Sequence, residues 1–106
     1  MTDGQLLFAY GKLRLPDVQL DTFGRLLDGD DDVLPGFTID HRDLEPPRPS
    51  HPVLRHTGDR FDKAVGRALR VTEDELDAAD EFEVESCRRI SARLASGRLA
   101  WVYVAV

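Results

Sequence analysis

Apolar positions along this chain come in short runs separated by turn residues, and most of the runs alternate with small or polar neighbours. Two runs do not alternate. Residues 5–10 and 99–106 carry apolar side chains on both faces, which marks strands covered on both sides. Such a pair predicts two neighbours in the middle of a sheet or closed barrel. Gly11 ends the first of them, and residues 12–16 read as a loop. Pro16 suits the first position of a helix that runs to Phe23 and stops at Gly24. A short strand at 25–27 is expected next, then an acidic turn at 28–32. Leu34, Pro35, Gly36 and Phe37 form a turn that leads into extended chain as far as Asp40. Four prolines within residues 45–52 predict a surface excursion without regular structure. Residues 53–71 read as a hairpin turning at His56, Thr57, Gly58 and Asp59, with Val65, Arg67, Leu69 and Val71 in alternation on its second strand. Residues 88–94 and 98–106 form two more strands joined by a turn at Ser96 and Gly97.

Between these strands lies a helix over residues 72–83. Thr72 and Glu75 have capping-box spacing, each side chain placed to satisfy an N–H of the other residue. At about 100° per residue, Leu76, Ala79, Phe82 and Glu83 share one sector, while Asp77, Asp80 and Glu81 point the other way. Glu83 is therefore a carboxylate on the apolar side. On the helix geometry three explanations stand: an ion pair with Arg88 or Arg89, fraying at the helix end, or proton chemistry.

Size and composition narrow the function classes. The 106 residues suffice for one domain, 1–106, with a real core. No run approaches the roughly 20 apolar residues of a membrane span, so no membrane role is expected. No secretory signal is visible, and cytoplasmic location is the expectation. A net charge of −6 with scattered basic residues argues against nucleic acid as a partner. The single cysteine, Cys87, permits no internal disulfide and no thiolate metal cage. His41, His51 and His56 straddle the proline-rich segment, without metal-ligand spacing. The acidic run at 28–32 lacks the alternating ligands and distal Glu of a calcium loop, so a solvated turn is expected there. Neither a nucleophile elbow nor a phosphate-binding glycine loop is present.

The loop after the first strand carries more. A buried strand ending in Tyr10 and Gly11 leaves backbone N–H groups at its carboxyl end, and successive N–H groups in a sharp turn can cradle an anion. A plain strand-to-loop transition fits the same residues. An anion cradle together with one carboxylate base would suit an amino-acid-like substrate.

These segments, in this order, resemble the γ-glutamylcyclotransferase-like family over nearly the whole chain. Phe8-Ala9-Tyr10-Gly11-Lys12-Leu13-Arg14 resembles the family's Tyr-Gly-(Ser/Thr)-Leu loop, and Leu34-Pro35-Gly36-Phe37 its Pro-Gly-aromatic segment. Asp80-Glu81-Phe82-Glu83 resembles the Asp-x-Tyr-Glu segment that bears the catalytic glutamate, with Arg89 where an arginine commonly follows. Ser96-Gly97 and the run Ala100-Trp101-Val102-Tyr103-Val104 resemble the closing hairpin. The resemblance implies an α+β fold, a small mixed β-barrel with flanking short helices and a cavity at one end. It gives Tyr10, Gly11, Lys12 and Leu13 the binding of a γ-glutamyl group, Glu83 the acid–base role, and Tyr103 a place in the cavity wall. Three residues depart from the family pattern: Lys12 in place of a small hydroxyl residue, Cys87 in place of a frequent Tyr, and Val84 in place of Gly.

The implied enzyme closes a γ-glutamyl substrate on itself, releasing 5-oxoproline and an amine, and needs no metal or organic cofactor. Its partner is the small-molecule γ-glutamyl substrate, and its assembly a monomer or homodimer. One carboxylate can shuttle both protons if burial raises its pKa toward neutrality. The alternatives are a non-catalytic module binding a small anion or partner in the same cavity, and an interaction domain that pairs through an edge strand.

Overall fold

The computed structural model describes residues 4–42, 51–82 and 87–105. Strands β1 (Gln5–Ala9), β2 (Gly29–Pro35), β3 (Phe37–Arg42), β4 (His51–His56), β5 (Lys63–Val71), β6 (Cys87–Arg93) and β7 (Leu99–Ala105) form a single mixed sheet. Helices α1 (Pro16–Phe23) and α2 (Glu73–Phe82) lie against it. The strand order is β2-β5-β1-β7-β4-β3, with β6 pairing to β7 off this path. As expected, the two doubly apolar strands are neighbours: β1 and β7 run parallel, with Leu7 opposite Trp101.

Strands β2 and β3 stand at opposite ends of this order, yet only Gly36 separates them in the chain. The sheet must therefore curl until its ends meet, and it becomes a nearly closed barrel. Gly36 takes a left-handed backbone (φ 81°) at this corner, a conformation that favours glycine. Its N–H donates to Asp62 O at 2.9 Å, and its carbonyl accepts from Thr57 N–H at 2.9 Å. The seam is fastened a second time by Asp32 on β2. Its Oδ2 accepts from the Ser96 hydroxyl at 2.6 Å and from Arg98 at 2.9 Å, both on or beside the β6–β7 turn. Its Oδ1 accepts from Val33 N–H at 2.8 Å and Ser96 N–H at 3.3 Å. Ala95 N–H adds a bond of 2.7 Å to Val33 O. The Asp32 side chain is only 4% exposed. Burial pushes its pKa up, but the bonds from Ser96, Val33 and Arg98 outweigh it and hold the carboxyl below its usual range.

Four expectations from the sequence are corrected here. Residues 28–32 are not a solvated turn, and 25–27 is not a strand: β2 begins at Gly29 and carries the acids. A seven-residue ladder to β5 and the burial of Leu34 hold this segment extended despite the poor strand propensity of aspartate, with arginines of β5 and, across the seam, Arg98 beside the acids. Arg70 and Arg98 reach Asp30, Arg67 reaches Asp31, and Arg98 reaches Asp32. Residues 53–71 are not a hairpin. Both edges of β5 are taken, by β2 and β1, while β4 pairs with β3 and β7. His51 and Pro52, assigned to the irregular excursion, begin β4, where an early strand position tolerates proline.

Two apolar cores explain the doubly apolar strands. Phe8 points into the barrel with Leu34, Leu54, Ala68, Val102 and Val104. Leu7 and Ala9 point out beneath the helices with Leu69, Val71, Leu76, Ala79 and Tyr103. Burying each large side chain contributes roughly 1.5–3 kcal/mol. The barrel is narrow, so β5 offers Ala64, Gly66 and Ala68 on its inner side opposite Phe8. A Cβ on Gly66 would stand 2.4 Å from the Ala9 carbonyl oxygen and 2.8 Å from the Phe8 ring.

Both helices form where the sequence places them. Pro16 opens α1, and Gly24 (φ 76°) closes it in the left-handed conformation. Buried Gln19 ties α1 to the chain on either side, donating to Leu13 O at 2.9 Å and accepting from Leu27 N–H at 3.0 Å. The capping box of α2 is realised at 3.0 and 3.1 Å between Thr72 and Glu75. Glu75 also receives both Arg25 donors, at 2.7 and 2.8 Å. This pairing, with the bond from Thr72, holds its pKa below the usual carboxylate range against the opposing effect of burial.

Two outcomes follow for stability. Because folding depresses both carboxyl pKa values, the stability that Asp32 and Glu75 contribute is fully present above roughly pH 4.3 and is lost as pH falls through their folded values. Asp32→Asn should cost about 1–3 kcal/mol at neutral pH and flatten this acid limb, read by urea unfolding across pH. Gly66→Ala should cost roughly 1–3 kcal/mol in the same assay, because backbone rather than a mobile side chain blocks the new methyl.

Candidate functional site

The chain leaves β1 at Tyr10 and folds immediately into a 3-10 turn over Lys12–Arg14. Arg14 N–H donates to Gly11 O at 3.1 Å, and Leu15 N–H to Lys12 O at 2.9 Å. The N–H groups of Lys12 and Leu13, which precede these donors, have no partner within the turn. Leu13 is buried in the outer core and anchors the turn. Lys12 and Arg14 are exposed on either side of it.

This turn forms one wall of a cleft of about 470 Å³. Tyr10, Gly11 and Lys12 line it, as do four residues that the sequence reading gave no role there: Arg14, Leu15, Ile39 and Val65. Arg14 and Leu15 follow directly from the motif and could have been included with it. Ile39 and Val65 could not, because β3 and β5 approach each other only through closure of the barrel. The cleft is open and mixed in character, with apolar Leu15, Ile39 and Val65 beside two cations.

Tyr10 connects the cleft to the other motif. Its hydroxyl donates to Tyr103 O at 2.8 Å, and its ring stacks on Phe8 with centroids 6.5 Å apart. Tyr103 is buried, and its own hydroxyl donates to Asp80 Oδ1 at 2.6 Å. Tyr103 is not among the residues that line the cleft. Asp80 Oδ2 meets Arg89 Nη2 at 3.3 Å, and the Arg89 guanidinium lies over the Trp101 ring at 4.7 Å. Trp101 in turn donates to Gln5 Oε1 at 2.9 Å. The loop motif and the helix motif are thus joined through β7 by side-chain bonds. Arg89 Nη1 is buried and has no acceptor among the described residues. Leaving such a donor unmatched costs about 1–3 kcal/mol, which a neighbouring or bound oxygen would recover.

Helix α2 buries Leu76 and Ala79 and exposes Asp77 and Glu81, as read from the sequence, but Asp80 does not point away from the sheet: one turn after Leu76, it leans onto β6 and β7 to meet Arg89 and Tyr103. Glu83 and Val84 lie outside the described residues. Cys87 opens β6 opposite Ala105. Among the described residues, no group of three or more His, Cys, Asp or Glu could hold a metal ion. None of the helices described is long and apolar enough to cross a membrane.

No protein-family model and no curated protein sequence matches the chain. Solved structures do. A protein of Arabidopsis thaliana superimposes with a TM-score of 0.76 at 22% identity, over 100% of this chain and 66% of that one. An uncharacterised protein of Homo sapiens gives 0.77 at 17% identity, over 96% and 66%. A γ-glutamyl cyclotransferase gives 0.72 at 16% identity, again over 96% and 66%. The chain thus spans just under two thirds of these three structures. At such identities the likeness concerns the path of the backbone, which is shared almost throughout. The chain has the γ-glutamylcyclotransferase-like fold, an α+β mixed sheet nearly closed into a barrel with two short helices against it.

Proposed function

We propose that this protein cyclises γ-glutamyl compounds, releasing 5-oxoproline and an amine. One observation carries the reading: the Tyr10 loop forms a cleft, and Tyr10 and Tyr103 link that cleft by hydrogen bonds to Asp80 on the helix of the glutamate motif. These motifs are far apart in sequence, and nothing in the packing of a plain barrel requires them to be coupled. The γ-glutamyl cyclotransferase of the same fold supports the assignment.

In this mechanism the γ-glutamyl group sits against the turn, with an oxygen on the N–H groups of Lys12 and Leu13. These donors hold the substrate so that its α-amine faces its own γ-carbonyl, a gain in proximity and orientation. The amine nitrogen attacks the carbonyl carbon, and its proton passes to the Glu83 carboxylate. The bond from that carbon to the departing nitrogen then breaks. The same proton passes from Glu83 to the departing amine, and Glu83 returns to its starting form. Gly11 lets the backbone approach the substrate, and the Tyr103 carbonyl holds the Tyr10 hydroxyl. The reaction as written balances with the substrate's own atoms and one carboxylate.

Incubation with a panel of γ-glutamyl amines and peptides should release 5-oxoproline, detected by mass spectrometry. Glu83→Gln should lower kcat by roughly 10²–10⁴-fold while leaving the urea midpoint unchanged. A Glu83→Gln protein that turned over substrate as fast as the unaltered one would sink the assignment. Tight binding of a γ-glutamyl compound with no product from any of the panel would favour the small-anion binding module instead.

A further inference from the structure

We infer that the outer edge of β6 takes up a further strand, and that this strand is an extended segment of a protein partner with acidic side chains along one face. The inference is independent of the cyclisation reading.

The bond of 2.8 Å from Leu94 N–H to Arg98 O sets the alternation along the antiparallel β6–β7 ladder. Backbone groups of Ile90, Ala92 and Leu94 turn toward β7, and those of Arg89, Ser91, Arg93 and Ala95 turn away from it. Ala95 N–H finds Val33 O at 2.7 Å, so this outward set stands where a neighbouring strand belongs. Beyond that bond β2 runs out at Pro35. Among the described residues β6 pairs with β7 alone, and the N–H and C=O groups of Arg89, Ser91 and Arg93 have no strand beside them.

Charge decides what fits there. β6 carries Arg88, Arg89 and Arg93 and no acid, in a chain of net charge −6. Arg88 and Arg93 are exposed, and neither has a carboxylate partner among the described residues. A second copy pairing antiparallel through β6 about Ser91 would bring Arg89 of each chain opposite Arg93 of the other. Like charges so placed oppose pairing, and charged residues are a common guard on strand edges. The same arginines admit a strand of opposite sign. On the outer face its side chains would lie beside Arg89, Ser91 and Arg93, whose partners on β7 are Tyr103, Trp101 and Leu99. On the inner face they would lie beside Ile90 and Ala92, which pack against the barrel core. Arg89 is engaged by Asp80 and Trp101, so Arg93 and, at the start of the strand, Arg88 remain for the partner. Acidic residues alternating with apolar ones match this edge.

The probe is a blocked peptide of alternating Glu and Val, as long as β6, added to the full chain and followed by amide NMR. In the protein alone, the N–H groups of Arg89 and Ser91 should exchange freely, and the peptide should protect them. A Lys and Val peptide should bind about tenfold more weakly, since exposed charge pairs are individually small. The acidic peptide methylated on every backbone nitrogen keeps its charge, loses its donors and should give no protection. Ser91→Pro removes an outward N–H without touching the bonds to β7, and should abolish protection at Arg89. Arg88→Glu combined with Arg93→Glu should invert the preference in favour of the Lys peptide, with urea midpoints verifying that each variant is folded. Slow exchange at Arg89 and Ser91 in the protein alone would mean that the chain covers its own edge, and would overturn the inference. Protection that grows with protein concentration would assign the edge to a second copy instead. Equal binding of the methylated peptide would reduce the contact to charge alone, and no binding of the acidic peptide, or an unchanged preference after charge reversal, would also overturn it.

Discussion

The buried carboxylate of Asp32 is the contact on which the site's geometry depends. It sits on β2, at one end of the strand order, and is held by Ser96 and Arg98 from the turn that joins β6 to β7. Ion pairs at a protein surface are worth little, but a carboxylate removed from water and given four donors is a different case. If it were left unmatched, the same group would oppose folding. The cleft inherits this dependence. Ile39 belongs to β3, the last strand in the order, and Val65 to β5, the second. They face one cavity only because the sheet has come round on itself.

Strand β1 supplies the second requirement. Its alternate side chains serve two separate cores, Phe8 inside the barrel and Leu7 and Ala9 beneath the helices. A strand held on both faces and both edges has little freedom, so Tyr10 leaves it in a fixed direction. Tyr10 is then fixed again by the Tyr103 carbonyl. Rigidity at this point gives the following turn a defined orientation although its cations are exposed. Ligand contacts built on loops gain precision when the supporting residues are packed and bonded in this way.

Much of this was legible in the residues. The doubly apolar runs gave β1 and β7 and their adjacency, proline and glycine gave the limits of α1, and Thr72 with Glu75 gave the start of α2. Each of these signals is local. The failures were all matters of partnership. Aspartates at 28–32 look like a turn until Arg67, Arg70 and Arg98 are brought opposite them. Residues 53–71 look like a hairpin because two strands with a glycine between them carry no mark of where their partners lie. In the candidate site, the Tyr10 to Leu13 turn was readable from its motif and Arg14 from its neighbours. Ile39 and Val65 entered only through the barrel's closure, and the bond from Tyr103 to Asp80 only through the packing of α2 on β7.

The position of β7 also governs how the fold comes together. β1 pairs with β5 and β7, and β4 with β3 and β7. Without β7, the antiparallel ladders β2–β5, β1–β5 and β3–β4 are two pieces of sheet with open edges. Only β7 unites them, by pairings distant in sequence, and such pairings are slow to form. Any state of the chain in which β7 has not docked therefore carries unpaired strand edges open to other chains.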